Sequence, residues 1–129
     1  MLQLDDLLGK RFEKEGKGPE TFNCWSLCRE VYKRIGLKLP PRDYIYDVAA
    51  RTEAIERGKA DFIELEKAEP FCGVTLKLAG RFHMGVVLAD GRRFIHCSRK
   101  YGVIIEPLKK YKRTIDGYFR YGKDKPDKG

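Results

Sequence analysis

Long apolar runs are missing from these 129 residues, and so is any internal repeat. A membrane-spanning helix needs about 20 consecutive apolar residues, so no membrane span is expected. The opening "MLQLDDLLGK" sets two acids ahead of any apolar stretch and does not read as a signal peptide, which makes a cytoplasmic or virion-associated location the expectation. Histidine is scarce, with only His83 and His96. The four cysteines lack the two-residue knuckle of a structural zinc site, and in a reducing compartment free thiols are expected rather than two disulfides. Acidic residues are outnumbered, 19 against 27 basic, for a net charge of +8. Such a balance favours polyanions: nucleic acid, anionic cell-wall polymer or an acidic protein face. The cations are scattered over many segments without a ribonucleoprotein motif, so a solvated lysine-rich surface is the plainer explanation and a nucleic-acid partner is not expected.

What is present describes a soluble globular chain, 42% hydrophobic and 36% charged, with the length of one domain. That domain is expected over 1–121. The stretch "GKDKPDKG" at 122–129 has no apolar residue and is expected to be a flexible tail. Residues 13–20, "EKEGKGPE", form a turn-rich loop. In "TFNCWSLCREVYKRIG" (21–36), Asn23 is a good N-cap; Cys24, Leu27, Cys28, Val31, Tyr32 and Ile35 recur at helical spacing, and Gly36 ends the helix. A second helix is predicted over 43–57, burying Ile45, Val48, Ala49 and Ile55. From residue 61 the pattern changes to six short β segments, "DFIEL", "FCGVTLKL", "RFHMGVVLA", "RRFIHCS", "GVIIEPL" and "IDGYFRY", separated by hairpin-length gaps. Helices followed by an antiparallel meander predict an α+β fold with the helical half laid on one face of the sheet.

The chemistry-bearing residues fall on both halves. Strand parity puts His83 with Gly85 and Val87 on one face, and His96 with Phe94 and Ser98, so one hairpin can bring the two imidazoles together. Gly85 leaves its face bare, and the helix carrying Cys24 is expected to dock there. Cys24 occupies the first turn of its helix, where unsatisfied N–H groups and the macrodipole favour a thiolate. His83 could then take up and return the proton while His96 fixes its tautomer, and the first backbone N–H groups could serve an oxyanion. The plainer alternative is a small hydrophobe in the core beside two structural histidines. Cys28, one turn deeper, reads as core, and Cys72 and Cys97 have no implied role. Zinc held by Cys24, Cys28 and the two histidines ranks below the thiol, because three residues separate the cysteines within a helix.

With these residues in view, "GKRFEKEGKGPETFNCWSLCREVYKRIGLKLP", "HMGVVLADGRRFIHC" and "YGVIIEPL" resemble the NlpC-type papain-like cysteine peptidases of bacteria, and are most similar to their bacteriophage tail-assembly branch, over about residues 9 to 121. The resemblance implies a papain-like α+β fold, N-terminal helices packed on a five- to six-stranded antiparallel sheet. It makes Cys24 the nucleophile, His83 the general base and His96 the third polar residue, with Asn23, Phe12, Trp25 and Ser26 as substrate-binding positions. It implies an enzyme that cleaves peptidoglycan stem-peptide amide bonds without metal or cofactor, with phage tail proteins as candidate partners. Three departures stand out. Asn23 replaces the family's usual Asp, whose carboxylate helps bind a substrate amine, and Phe12 replaces a frequent Tyr. Losing one oxyanion donor can cost about 3 kcal/mol of transition-state stabilisation. The His83–His96 interval is one residue longer than usual, and a register slip would turn His96 to the wrong face. These departures motivate the alternative of a catalytically weak or inactive tail-assembly or cell-wall interaction module.

Overall fold

The structure is a computed structural model that describes residues 2–37 and 62–121. The helix predicted over 43–57 and the tail 122–129 lie outside the described residues. After a 3-10 turn at Asp5–Leu7 come β1 (Arg11–Phe12), β2 (Thr21–Phe22) and α1 (Cys24–Ile35). The strands β3 (Phe62–Leu65), β4 (Gly73–Leu78), β5 (Arg81–Val87), β6 (Arg93–Ser98), β7 (Gly102–Pro107) and β8 (Ile115–Tyr121) follow, with a 3-10 turn at Leu108–Tyr111 between the last two.

α1 forms where the apolar spacing predicts it, and its ends are chemically defined. Asn23 Oδ1 accepts from the Ser26 N–H at 2.7 Å, and Ser26 Oγ accepts from the Asn23 N–H at 3.0 Å. This reciprocal capping box satisfies two donors that a helix start otherwise leaves open. Gly36 closes the helix at φ 105°, a left-handed conformation that an L side chain rarely adopts. Near the C-terminal end, Tyr32 Oη donates to the Phe71 carbonyl at 2.9 Å and ties α1 to the chain entering β4.

The six long strands form one antiparallel sheet in the order β3-β8-β4-β5-β6-β7, the α+β, papain-like architecture expected. It is not a simple meander, because β8 is inserted between β3 and β4. The link from β3 to β4 is not a hairpin turn: Phe71 N–H donates to the Val87 carbonyl, and Val87 N–H to that of Cys72. Those groups are committed to β5, and β8 pairs the free edge of β4. A further parallel pair, Arg11↔Thr21 and Phe12↔Phe22, joins β1 to β2 around the 13–20 loop. β1 is led onto β7 by Gly9 N–H donating to the Val103 carbonyl and Val103 N–H to that of Lys10, both at 2.9 Å.

Apolar residues bury themselves in two layers. Leu27, Cys28, Val31 and Tyr32 of α1 pack with Val86, Ile95, Cys97 and Val103. Val74, Leu76, Val87, Phe94 and Leu108 form the second layer. Since successive strand residues point to opposite faces, α1 lies on the Val86/Ile95 face and the histidine face is the other one. This corrects the expectation that the helix docks over Gly85. A Cβ at Gly85 would meet the Ile95 carbonyl oxygen at 2.6 Å, Phe94 Cδ2 at 2.8 Å and His96 Cβ at 3.0 Å, so the bare position is filled by β6 and its side chains.

Candidate active site

Register brings the two imidazoles together. Gly85 stands opposite His96, and His83, two residues along β5, is its diagonal neighbour on the same face. His83 Nε2 lies 2.7 Å from His96 Nδ1, with the rings edge-on at 4.9 Å and 81°. No register slip turns His96 away: it keeps the face of His83.

His96 is held on every side. Its ring stacks on Phe94 at 4.4 Å and 13°, and its Nε2 is 2.7 Å from Glu106 Oε1. Glu106 projects from β7 opposite Phe94, which places it on the histidine face one strand further out. Tyr111 Oη donates to Glu106 Oε1 at 2.6 Å, and Lys110 Nζ donates to Oε2. Tyr111 also meets Phe94 edge-on at 5.6 Å. The result is a continuous chain, His83–His96–Glu106, closed by Tyr111 and Lys110.

Burial governs the protonation of this chain. It pushes His83 down to about 3, with the neighbouring His96 and Arg99 acting in the same direction. It also lowers His96, outweighing the Glu106 carboxylate that would raise it. His96 is therefore a neutral ring bonded to a carboxylate rather than half of an ion pair. For Glu106, burial acts upward, but hydrogen bonds from Lys110, Tyr111 and His96 together hold it at about 2. Tyr111 is pushed up to about 12 by burial and by its bond to Glu106. At neutral pH the chain is imidazole, imidazole, carboxylate. A carboxylate only accepts, so it takes the His96 Nε2 proton; His96 Nδ1 then accepts from His83 Nε2, which leaves His83 Nδ1 with a lone pair.

Cys24 is the first residue of α1 and is 1% exposed, within the helix-side layer. Cys97 Sγ donates to the Phe22 carbonyl at 3.3 Å and fastens the strand that delivers Cys24 onto β6, one residue from His96. Burial raises the thiol of Cys97 to about 12 and also pushes that of Cys28 well up, with Cys24 adding to both. These two thiols are protonated packing groups, and none of the four cysteines is joined in a disulfide. Among the described residues no group of three or more His, Cys, Asp or Glu could hold a metal ion.

The four positions assigned to substrate binding differ in what they offer. Asn23 is 0% exposed, and besides the cap its Nδ2 donates to the Lys14 carbonyl at 2.9 Å. Trp25 belongs to the helix-side layer, and the Ser26 hydroxyl also donates to the Gly16 carbonyl at 2.8 Å; both are buried. Phe12 is half-buried on β1, with the Arg99 guanidinium 5.0 Å above its ring. Of the four, Phe12 alone keeps appreciable surface, and it lies under a cation.

The NlpC/P60 family matches residues 9–117, most of the chain. The chain belongs to that family. No curated protein matches it. NlpC2 from Trichomonas vaginalis is 21% identical and superposes with a TM-score of 0.67 over 92% of this chain and 44% of that one. The NlpC/p60 domain of the peptidoglycan hydrolase SagA is 17% identical, with a TM-score of 0.61 over 88% of this chain and 89% of that domain. A Staphylococcus aureus protein similar to a lipoprotein of the NLP/P60 family is 21% identical, with a TM-score of 0.62 over 92% of this chain and 38% of that one. At such identities the likeness is one of fold. This chain spans less than half the length of the Trichomonas and Staphylococcus proteins. Among the described residues no helix is long and apolar enough to cross a membrane.

Within this NlpC/P60 domain, sequence reasoning missed Glu106, Lys110 and Tyr111. The available signal was an acid on the alternate face of an otherwise apolar strand, "GVIIEP", one hairpin after His96.

Proposed function

We propose that this NlpC/P60 domain is a cysteine peptidase acting on amide bonds of peptidoglycan stem peptides, with Cys24 as nucleophile, His83 as base and His96 as the residue that orients His83. The single observation that carries the reading is the His83–His96 bond, which turns the lone pair of His83 onto Nδ1. Two further features support it. The ladder between β5 and β6 runs Gly85↔His96, Val86↔Ile95 and Val87↔Phe94, so the strands are unpaired with each other beside His83. The start of α1 is fastened at Cys97, at that same end of β6. Sulfur and imidazole would thus meet at the open end of the β5–β6 seam from its two sides.

In the proposed reaction the Cys24 Sγ–H proton passes to His83 Nδ1 as sulfur bonds to the scissile carbonyl carbon. The positive end of α1 stabilises the thiolate. Collapse of the tetrahedral species breaks the C–N bond, and His83 gives its proton to the leaving amine. Water then attacks the thioester and His83 takes the water proton; the C–S bond breaks to release the acid, and His83 returns the proton to the Cys24 sulfur. Stem-peptide specificity and action in phage tail assembly belong to the same proposal and follow from the resemblance of the Cys24 segment. With Asn23 spent on the helix cap, recognition of a substrate amine would fall to other groups.

A second reading, an interaction module with weak or no hydrolysis, is favoured by the burial of Cys24 and by Phe12, which has no hydroxyl to offer an oxyanion. Incubation with purified peptidoglycan or a γ-D-glutamyl peptide separates the two. Hydrolysis by the wild type that falls about 10^6-fold in Cys24→Ser and in His83→Ala supports the peptidase. No turnover by folded wild type leaves the interaction module.

A further inference from the structure

We propose that Glu106 is a positioning residue that dictates, through His96, which ring nitrogen of His83 carries the proton. The tautomer assignment stands on geometry alone; only its kinetic consequence rests on the peptidase reading.

Each ring of the pair could carry its proton on either nitrogen, and the contact between them allows either direction of donation. Glu106 removes that freedom. A proton on His96 Nδ1 instead of Nε2 would set a ring lone pair against a carboxylate oxygen at 2.7 Å, a repulsive contact. The proton therefore stays on His96 Nε2, His96 Nδ1 must accept, and His83 must donate from Nε2. Stacking on Phe94, itself braced edge-on by Tyr111, keeps His96 from turning over to escape the constraint.

A carboxylate strong enough to orient an imidazole can also draw a second proton onto it. Doubly protonated His96 would present an N–H to His83 and force the opposite tautomer, in which His83 Nδ1 carries the proton and cannot receive one. Lys110 and Tyr111 guard against this: their donors share the charge of Glu106. The cation of Lys110 also opposes protonation of His96. The groups facing the pair are thus Glu106 from β7, Lys110 and Tyr111 from the turn after it, and Arg99 beside His83. Because Lys110 and Tyr111 lie four and five residues after Glu106, the whole device occupies one short segment.

The test is ¹⁵N-resolved NMR of the two imidazoles in the full chain, with kinetics alongside. In the wild type both rings are expected as Nε2–H tautomers. Glu106→Gln, whose amide can donate or accept, should give a mixture on both rings and shift the pH dependence of Cys24 alkylation. It should lower kcat/KM about 10- to 100-fold with KM little changed, less than the ~10^4 seen when the residue touching the base is altered, since Glu106 acts one ring further away. Glu106→Asp should restore most of the wild-type tautomer. Should Glu106→Gln fail to fold, the pair Lys110→Met and Tyr111→Phe keeps the carboxylate and should raise the pH at which His96 protonates. Wild-type tautomers in folded Glu106→Gln, or an unmoved His96 titration in the double variant, would overturn the proposal. A wild type with both expected tautomers but no hydrolysis removes the peptidase and leaves the positioning role standing.

Discussion

The two faces of β5 and β6 are built from alternate residues of the same strands and do different work. Toward α1 they present Met84, Val86, Ile95 and Cys97, side chains that exclude water and hold the helix. Toward the other side they present His83, Phe94 and His96, joined by Glu106 from the next strand. The first face gains its free energy from area removed from water and is indifferent to hydrogen-bond direction. On the second, each donor must meet an acceptor, because an unpaired buried polar group is costly. Two-residue periodicity lets one hairpin carry both without mixing them, and a shift of one residue would exchange them.

That contrast can be broken on the helix side first. Leu27→Ala removes a fully buried side chain from the α1 layer and should cost about 2–5 kcal/mol, read as a lowered denaturant midpoint. The histidine tautomers should not change, and if they do, the faces are coupled more tightly than strand alternation implies. A smaller effect sharpens the polar side. His83 is held at about 3 against an ordinary 6.5, so between those values the unfolded chain binds a proton that the folded chain does not. Stability should therefore fall as pH drops from 6.5 toward 3, and Glu106, held at about 2 against 4.5, adds to the loss below 4.5. His83→Gln should flatten the upper part of that slope by at most about 1.4 kcal/mol per pH unit in chemical denaturation. The smallest effect lies at the start of α1. Asn23→Ala should cost about 1 kcal/mol through loss of the helix cap, measured by thermal melting.

The parts of the fold set by local pattern were legible in the sequence. The apolar stripe from Cys24 to Ile35, the cap at Asn23 and the stop at Gly36 are all encoded within one stretch of chain. Each of the six β segments is a strand, and the parity of His83 and His96 gives their shared face. What escaped depends on pairing between distant segments. Insertion of β8 between β3 and β4 is decided by which edge of β4 is left free, and no turn residue announces it. The side taken by α1 is not legible, because Gly85 resembles an open landing site in the sequence, whereas Phe94 and His96 occupy it in the fold. The role of Glu106 is hidden in the sequence because its partners meet it only when β6 and β7 are set in register.

The contact between the N-terminal segment and β7 has a consequence for how the molecule behaves among its own copies. A β-sheet that ends in a bare strand offers its unspent amides and carbonyls as a template on which a foreign strand can grow. Here Gly9 and Lys10 occupy Val103 from outside, and Gly102 lies so close to the Lys10 carbonyl oxygen that a Cβ there would approach it to 2.2 Å. At that margin the molecule terminates its own hydrogen-bond ladder, and a neighbouring chain finds no vacant rung at Val103 from which to begin.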